Sequence, residues 1–304
     1  MLVEAVPNFS EGRRTDVIDA IVAAAAGSAK ILDVHSDVDH NRMVLTIAGN
    51  LGGVVEAAFN AAARAVALVD LRRHRGVHPR MGAVDVIPLV PLSGCTITDC
   101  ADAARILGAR IGSELGIPVY LYGAAAHPGR PTAVREIRGA GLDALLELGA
   151  ARLPPDFGPA ELDPVVGAVA VGARPPLVAF NAALDRDDLA AARRVARRVR
   201  ASSGGLPGVQ ALGLALPSRG VAQVSTNLFD LEATALSALM GAIRQAAFVE
   251  GVAVAAWELV GLLPASALTG LEGDGVPGLP TIDDTIETRL SSPDRPRGGG
   301  ATPG

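Results

Sequence analysis

One order of periodicities occurs twice in this chain and limits the folds open to it. Short apolar runs of strand length alternate with longer stretches whose apolar residues recur at helical spacing. In the first half, strands fall on residues 2–6, 31–34, 43–48 and 83–90, and helices on 13–26 and 54–71. Ser10 stands where it could cap the first helix, and a polar loop separates the second and third strands over residues 36–41. In the second half, strands fall on 177–184, 209–216, 221–228 and 252–263, and helices on 187–200 and 232–250; Pro217-Ser218-Arg219-Gly220 supplies a turn. Both halves read β-α-β-β-α-β, the ferredoxin-like or split βαβ order. The expected fold class is therefore α+β, with two α/β sandwich subdomains, each built on a ferredoxin-like β-α-β-β-α-β core.

Between these halves, helical segments over 99–115 and 132–148 flank a strand at 118–122 and enlarge the first subdomain. The Pro- and Gly-rich stretch 152–176 reads as a linker. The expected boundaries are an N-terminal subdomain over 1–175, a C-terminal subdomain over 176–271 and a low-complexity tail over 272–304, disordered after about residue 293. With 304 residues, 49% hydrophobic and only 19% charged, each half can bury a core, which excludes disorder of the whole. A net charge of −5 argues against a nucleic-acid coat or a polybasic membrane binder. Lys30 is the only lysine, so nearly all positive charge sits on guanidinium forks suited to carboxylates.

The two cysteines, Cys95 and Cys100, build neither a disulfide framework nor a four-thiolate zinc site, and they suit a reducing compartment. The N-terminus has no basic start followed by an apolar core, and the apolar stretch 252–268 is broken by Glu258 and Pro264. The expectation is a cytoplasmic protein that engages neither membrane nor nucleic acid.

The most unusual local sequence is His74-Arg75-Gly76-Val77-His78-Pro79-Arg80-Met81-Gly82. Gly76 and Pro79 argue against a helix, so the two histidines do not read as a helical zinc pair. A loop carrying a histidine for proton transfer beside arginines for an anion is the functional alternative to a solvated basic turn. A second polar cluster runs from Asp33 to Arg42, but its carboxylates lack calcium-loop spacing. The expectation is no metal. The stretch Ser202–Gly208 lacks the ending of a phosphate loop; neither a dinucleotide fingerprint nor a nucleophile elbow is present. Trp257 reads as core.

Six spaced motifs carry a resemblance. They are Glu4-Ala5-Val6-Pro7-Asn8-Phe9-Ser10-Glu11-Gly12, His78-Pro79-Arg80-Met81-Gly82-Ala83-Val84-Asp85, Val119-Tyr120-Leu121-Tyr122-Gly123, Pro155-Asp156-Phe157-Gly158-Pro159, Gly167-Ala168-Val169-Ala170-Val171-Gly172-Ala173-Arg174 and Ala222-Gln223-Val224-Ser225-Thr226-Asn227-Leu228. Spread in register from about residue 2 to 268, they make the chain resemble the glutamate formimidoyltransferase family in its monofunctional form. The resemblance implies an active-site cleft between the two subdomains, a homodimer and tetrahydrofolate as co-substrate. It places the catalytic histidine on His78. It places folate binding on two stretches: Gly158-Pro159-Ala160-Glu161-Leu162-Asp163-Pro164-Val165-Val166-Gly167 and Gly204-Gly205-Leu206-Pro207-Gly208-Val209-Gln210-Ala211-Leu212-Gly213.

The implied reaction moves a formimino group from N-formimino-L-glutamate to nitrogen 5 of tetrahydrofolate, giving 5-formimidoyltetrahydrofolate and L-glutamate in histidine degradation. A histidine can take the proton from the folate nitrogen and return it to the departing glutamate nitrogen near neutral pH, an effect worth about 10²–10⁴-fold. Arg42 and Arg80 are the candidates for the donor's two carboxylates, and Asn8 and Asn41 for orienting it. Two other readings fit the same residues. One is a glutamate formyltransferase or an enzyme recycling 5-formyltetrahydrofolate; the other is a folate-binding protein without activity.

Overall fold

The computed structural model describes residues 1–139, 141–273 and 275–292, with the side chains of 148–152 outside that description. The expected disorder after residue 293 falls outside it too. The chain forms two compact units, Met1–Pro175 and a second beginning at Pro176.

The first unit runs β1 (Leu2–Ala5), β2 (Asn8–Phe9), α1 (Thr15–Ala25), β3 (Lys30–Asp37), β4 (Arg42–Asn50), α2 (Leu51–Leu68), β5 (Val84–Ser93), α3 (Ile97–Arg110), β6 (Val119–Gly123), α4 (Val134–Arg138), α5 (Leu142–Arg152) and β7 (Val169–Ala173). The short strands β1 and β2 lie end to end between β4 and β5, interrupted where Pro7 has no N–H to give a ladder. The spatial order is β3, β4, β1 with β2, then β5, all antiparallel, which is the ferredoxin-like arrangement read from the pattern. Beyond β5 the sheet continues in parallel through β7 to β6.

Four expectations are corrected in this unit. The stretch read as a linker supplies β7, a fully buried inner strand between β5 and β6. The single helix read over 132–148 is two helices, α4 and α5, with Gly139 and Gly141 at positive φ between them. The loop read from residue 36 is partly strand, since β3 runs on to Asp37 opposite Arg42. Ser10 does not cap α1. Its hydroxyl donates to the Gly82 carbonyl at 2.7 Å, while the Glu11 carboxylate accepts from the backbone of Arg13 and Arg14.

One large core lies between the sheet and α1, α2 and α3. Among the described residues, α2 is the one helix long and apolar enough to cross a membrane. Here its Val54, Ala57, Ala58, Ala61, Ala62 and Ala65 are buried in that core. A smaller cluster gathers Met81, Tyr120, Tyr122, Ile137, Leu145, Ala168 and Ala170.

In the second unit, β8 (Val178–Leu184), α6 (Leu189–Val199), β9 (Val209–Leu216), β10 (Val221–Leu228), α7 (Leu236–Val249) and β11 (Val254–Val260) form the ferredoxin-like order again. The antiparallel sheet runs β11, β8, β10, β9. Asp188 caps α6 through Ala191 N–H at 2.8 Å. Trp257 is core, its ring stacked on Phe180 with centroids 5.3 Å apart.

The tail from 272 does not behave as a low-complexity segment where it is described. Trp257 N–H donates to the Pro277 carbonyl at 2.8 Å, and the backbone of Leu263 exchanges bonds with Asp284 and Ile286. A short α8 (Ile286–Ser291) follows, capped by the Thr285 hydroxyl, with Thr285 and Ile286 buried. Sparse apolar residues suffice here because the segment adds to an existing core.

Candidate active site

The ends of β2, β3 and β4 and the segment preceding β5 converge on a pocket lined by Phe9, Ser10, His40, Asn41, Arg42, His74, His78, Arg80 and Asp85. His78 is held in a loop. Val77 N–H donates to the Asp39 carbonyl at 3.0 Å, and the Gly76 backbone lies so close to His40 that an added Cβ would sit 2.2 Å from the His40 carbonyl oxygen. Gly76 and Pro79 thus keep this segment out of a helix, as the sequence suggested, and aim the ring into the pocket.

The ring of His78 has two polar neighbours. Nδ1 lies 2.8 Å from the Pro79 carbonyl oxygen, and Nε2 lies 3.0 Å from Nη1 of Arg42. A carbonyl can only accept and a guanidinium can only donate. The proton therefore sits on Nδ1, and the free lone pair is on Nε2 facing Arg42. Burial, then Arg42, Arg138 and the neighbouring His40, hold the His78 pKa well below its ordinary value, opposed by the Pro79 carbonyl. His40 stacks against the ring with centroids 5.7 Å apart.

Arg42 is positioned from the other side by Asn8, whose amide oxygen accepts from Nη2 while its Nδ2 donates to the Val6 carbonyl at 2.7 Å. Burial lowers the Arg42 pKa to about 10 despite the opposing pull of Asp85 and Asp37. It stays cationic at neutral pH. Arg80 reaches the His74 carbonyl at 3.4 Å. Buried Nε atoms of Arg42, Arg80 and Arg138 have no hydrogen-bond partner. An unsatisfied buried donor costs about 1–3 kcal/mol, so these N–H groups favour an incoming acceptor such as a carboxylate.

Asn41, expected to orient the donor, lines the pocket with its side chain bonded to two other backbone segments. It adopts a positive φ of 47°, its amide oxygen accepts from Gly12 N–H at 2.9 Å, and its Nδ2 donates to the Arg75 carbonyl at 3.1 Å. The side chain is committed to joining three loops. His74 is similarly structural, with Nε2 donating to the Asn41 carbonyl at 2.7 Å and burial lowering its pKa.

Two site residues escaped the sequence reading. Asp85 is buried, accepting from Met81 N–H and pairing with Arg138. Asp85 stood inside the motif begun by His78, whereas nothing near Arg138 signalled it. Among the described residues, no group of three or more His, Cys, Asp or Glu is arranged to hold a metal ion.

The stretch 158–167 is stitched to the His78 loop. Ala83 N–H donates to the Val166 carbonyl at 2.8 Å, Ala168 N–H to the Met81 carbonyl at 2.9 Å, and Leu71 N–H to the Val165 carbonyl at 2.9 Å. At the crossing, Gly82 and Gly167 face each other as an isolated bridge. A Cβ on Gly82 would lie 1.9 Å from the Ala168 carbonyl oxygen, and one on Gly167, at φ +67°, would lie 2.3 Å from that of Met81. Gly158, Pro159, Ala160, Glu161, Asp163 and Pro164 are exposed, while Leu162 and Val166 pack against the core.

The second stretch, 204–213, lies in the other unit. Val209 and Ala211 point into that unit's core, which removes their side chains from ligand contact. Gln210 and Leu212 alternate outward, as β9 dictates. Gly213 lets α6 approach, since a Cβ there would meet the Arg193 backbone nitrogen at 2.4 Å.

Comparison with known proteins matches residues 2–174 to the Formiminotransferase domain, N-terminal subdomain, and residues 179–272 to the Formiminotransferase domain. The chain is 41% identical over 273 residues to the glutamate formimidoyltransferase of Streptococcus pyogenes serotype M1, covering 88% of this chain and 90% of that one. It is 39% identical over 272 residues to the glutamate formimidoyltransferase of Thermoplasma acidophilum, covering 88% and 89%. With the formimidoyltransferase-cyclodeaminase of Sus scrofa it shares 43% over 275 residues, 88% of this chain and 51% of that larger protein. Matched along both of its units, the chain belongs to the formiminotransferase family.

Proposed function

We propose that this protein is a folate-dependent glutamate formimidoyltransferase, moving the formimino group of N-formimino-L-glutamate to nitrogen 5 of tetrahydrofolate. The observation that carries the reading is His78 in a pocket lined also by Arg42 and Arg80, its Nδ1 proton held by the Pro79 carbonyl and its Nε2 lone pair covered by Arg42 alone. Names of relatives identical at 39–41% over most of both chains support the same activity.

In this reading the donor's two carboxylates meet Arg42 and Arg80, whose buried Nε–H groups lack acceptors. Attack of the folate nitrogen on the amidine carbon gives a tetrahedral intermediate. His78 Nε2 takes the proton released from the attacking nitrogen and returns it to the glutamate nitrogen as the C–N bond breaks. The Nδ1 bond to the Pro79 carbonyl steadies the ring in both states. Tetrahydrofolate is a co-substrate here. The exposed residues Gly158 to Glu161, Asp163 and Pro164, on the segment joined to the His78 loop, fit a ligand rich in hydrogen-bonding edges.

The proposal extends to a homodimer acting in the cytoplasm. Cys95 and Cys100 are free thiols with Sγ atoms 3.8 Å apart, which suits a reducing compartment. The test measures one-carbon transfer to tetrahydrofolate from formimino- and formyl-glutamate side by side. Turnover with the formimino donor is expected to dominate. Preference for the formyl donor would reassign the substrate, and folate binding without turnover on either would leave a binding protein.

A further inference from the structure

Asp85, at the start of β5, divides its carboxylate between two parts of the first unit. Oδ1 accepts from the Met81 backbone N–H at 2.8 Å, and Oδ2 pairs with the Arg138 guanidinium. The two side chains are only 4% and 15% exposed. Met81 follows Arg80 in the turn that carries His78. Its own side chain is fully buried in the cluster that also holds Ile137, the residue before Arg138 on α4. Packing of α4 through Ile137 therefore fixes where Arg138 stands, and Asp85 ties that position to the His78 turn.

We propose that Asp85 and Arg138 are positioning residues for His78: the carboxylate fixes the turn that carries the ring and ties the Arg138 guanidinium to that turn, so that the pair sets the charge an anionic donor meets there. This rests on His78 being the acid–base group. Arg42 from β4, His40 from the β3–β4 turn and the Pro79 carbonyl of its own loop contact His78; Arg80, His74 and Asp85 line the same pocket, and Arg138 from α4 acts on the ring as a nearby positive charge. Asp85 from β5 and Asp37 from the end of β3 act on Arg42. Three cationic or basic neighbours thus oppose protonation of the ring, and the carboxylates reach it through the arginines. The two halves of the pair act in opposite senses. Loss of the Arg138 charge favours the imidazolium, whereas loss of the Asp85 charge leaves Arg138 uncompensated and disfavours it.

The experiment is an NMR titration of the His78 ring, assigned by its disappearance in His78→Asn. It compares wild type, Arg138→Gln and Asp85→Asn, with and without N-acetyl-L-glutamate as a dicarboxylate probe with an uncharged nitrogen. Arg138→Gln keeps an amide donor for Asp85 and should raise the His78 midpoint by about half a unit or more. Asp85→Asn should lower it, or leave the ring neutral to the lowest pH at which the protein stays folded. The probe should raise the wild-type midpoint. An unmoved midpoint in Arg138→Gln, or shifts of the same sign in both variants, would overturn the proposal. If Asp85→Asn does not fold, Arg138→Gln and the probe decide alone. The titration needs no turnover, so midpoints that move as expected beside a fully active His78→Asn would remove the acid–base reading instead.

Discussion

Nη1 of Arg42 donates to Nε2 of His78 at 3.0 Å, so the lone pair that serves as the base is covered by a cation. A base in that state is protected from protonation but also blocked from reaction. A donor carboxylate that draws Arg42 toward itself would uncover the nitrogen and relieve the charge opposing the imidazolium. Binding and activation of the base then become a single event in the proposed reaction.

Replacement of His78 by Asn should leave the fold and folate affinity intact while turnover falls by about two to four orders of magnitude. The amide can still occupy the site between Arg42 and the Pro79 carbonyl, but it cannot carry a proton. Steady-state transfer assays with folate binding measured in parallel check this. A variant keeping most of its turnover would move the role to His40, the stacked neighbour.

The pH dependence follows from the direction of the shift. The sequence suggested titration near the ordinary histidine value of ~6.5, yet burial and arginines hold His78 well below that, and burial lowers His74. Groups with depressed histidine pKa values bind fewer protons folded than unfolded. Their contribution to stability is therefore full above about pH 6.5 and is lost as pH falls from there toward the folded values. Urea unfolding at stepped pH should show this loss, with a shallower slope in His78→Asn. The acid limb of kcat/KM, which reports the free enzyme, should likewise lie below pH 6.5.

Asn8 acts on the pocket through Arg42. Changing it to Ala removes the acceptor for Nη2, and hydrogen bonds to charged groups are worth about 1.5–3 kcal/mol. The donor's KM should rise by about tenfold or more, with a smaller effect on kcat and none on folate affinity. Unchanged donor KM would mean that other contacts hold Arg42.

Ile286 tests the docked tail. Its side chain is buried, and its N–H bonds to the Leu263 carbonyl at 3.0 Å. Ile286→Ala should cost about 2–4 kcal/mol, seen as a lower Tm by calorimetry. An unchanged Tm would show that this segment adds no stability.

The pattern of periodicities revealed the ferredoxin-like cores because each half alternates strands and amphipathic helices strongly enough to show in a single chain. β7 was missed for a physical reason. Val169-Ala170-Val171-Gly172-Ala173 is a small-residue strand buried on both faces of a parallel run, so it lacks the alternation that marks a half-exposed strand. The loop placement of His78 was legible because Gly76 and Pro79 forbid a helix around it. The ties of Asn41 were not legible, since an exposed-looking asparagine in a polar loop gives no hint that both ends of its amide are bonded to backbone. Arg138 was invisible, because its partner Asp85 lies 53 residues away and only the packing of Ile137 brings them together.

The bridge between Gly82 and Gly167 has a consequence for anyone exchanging parts among relatives. Because neither position tolerates a Cβ and the strands around them share hydrogen bonds, the His78 loop and the 158–167 segment form one mechanical piece. A graft that imports the later segment alone would place a foreign surface against the His78 loop at its tightest point. The unit to transplant is the pair, and a chimera that splits it should lose ring placement before it loses its fold.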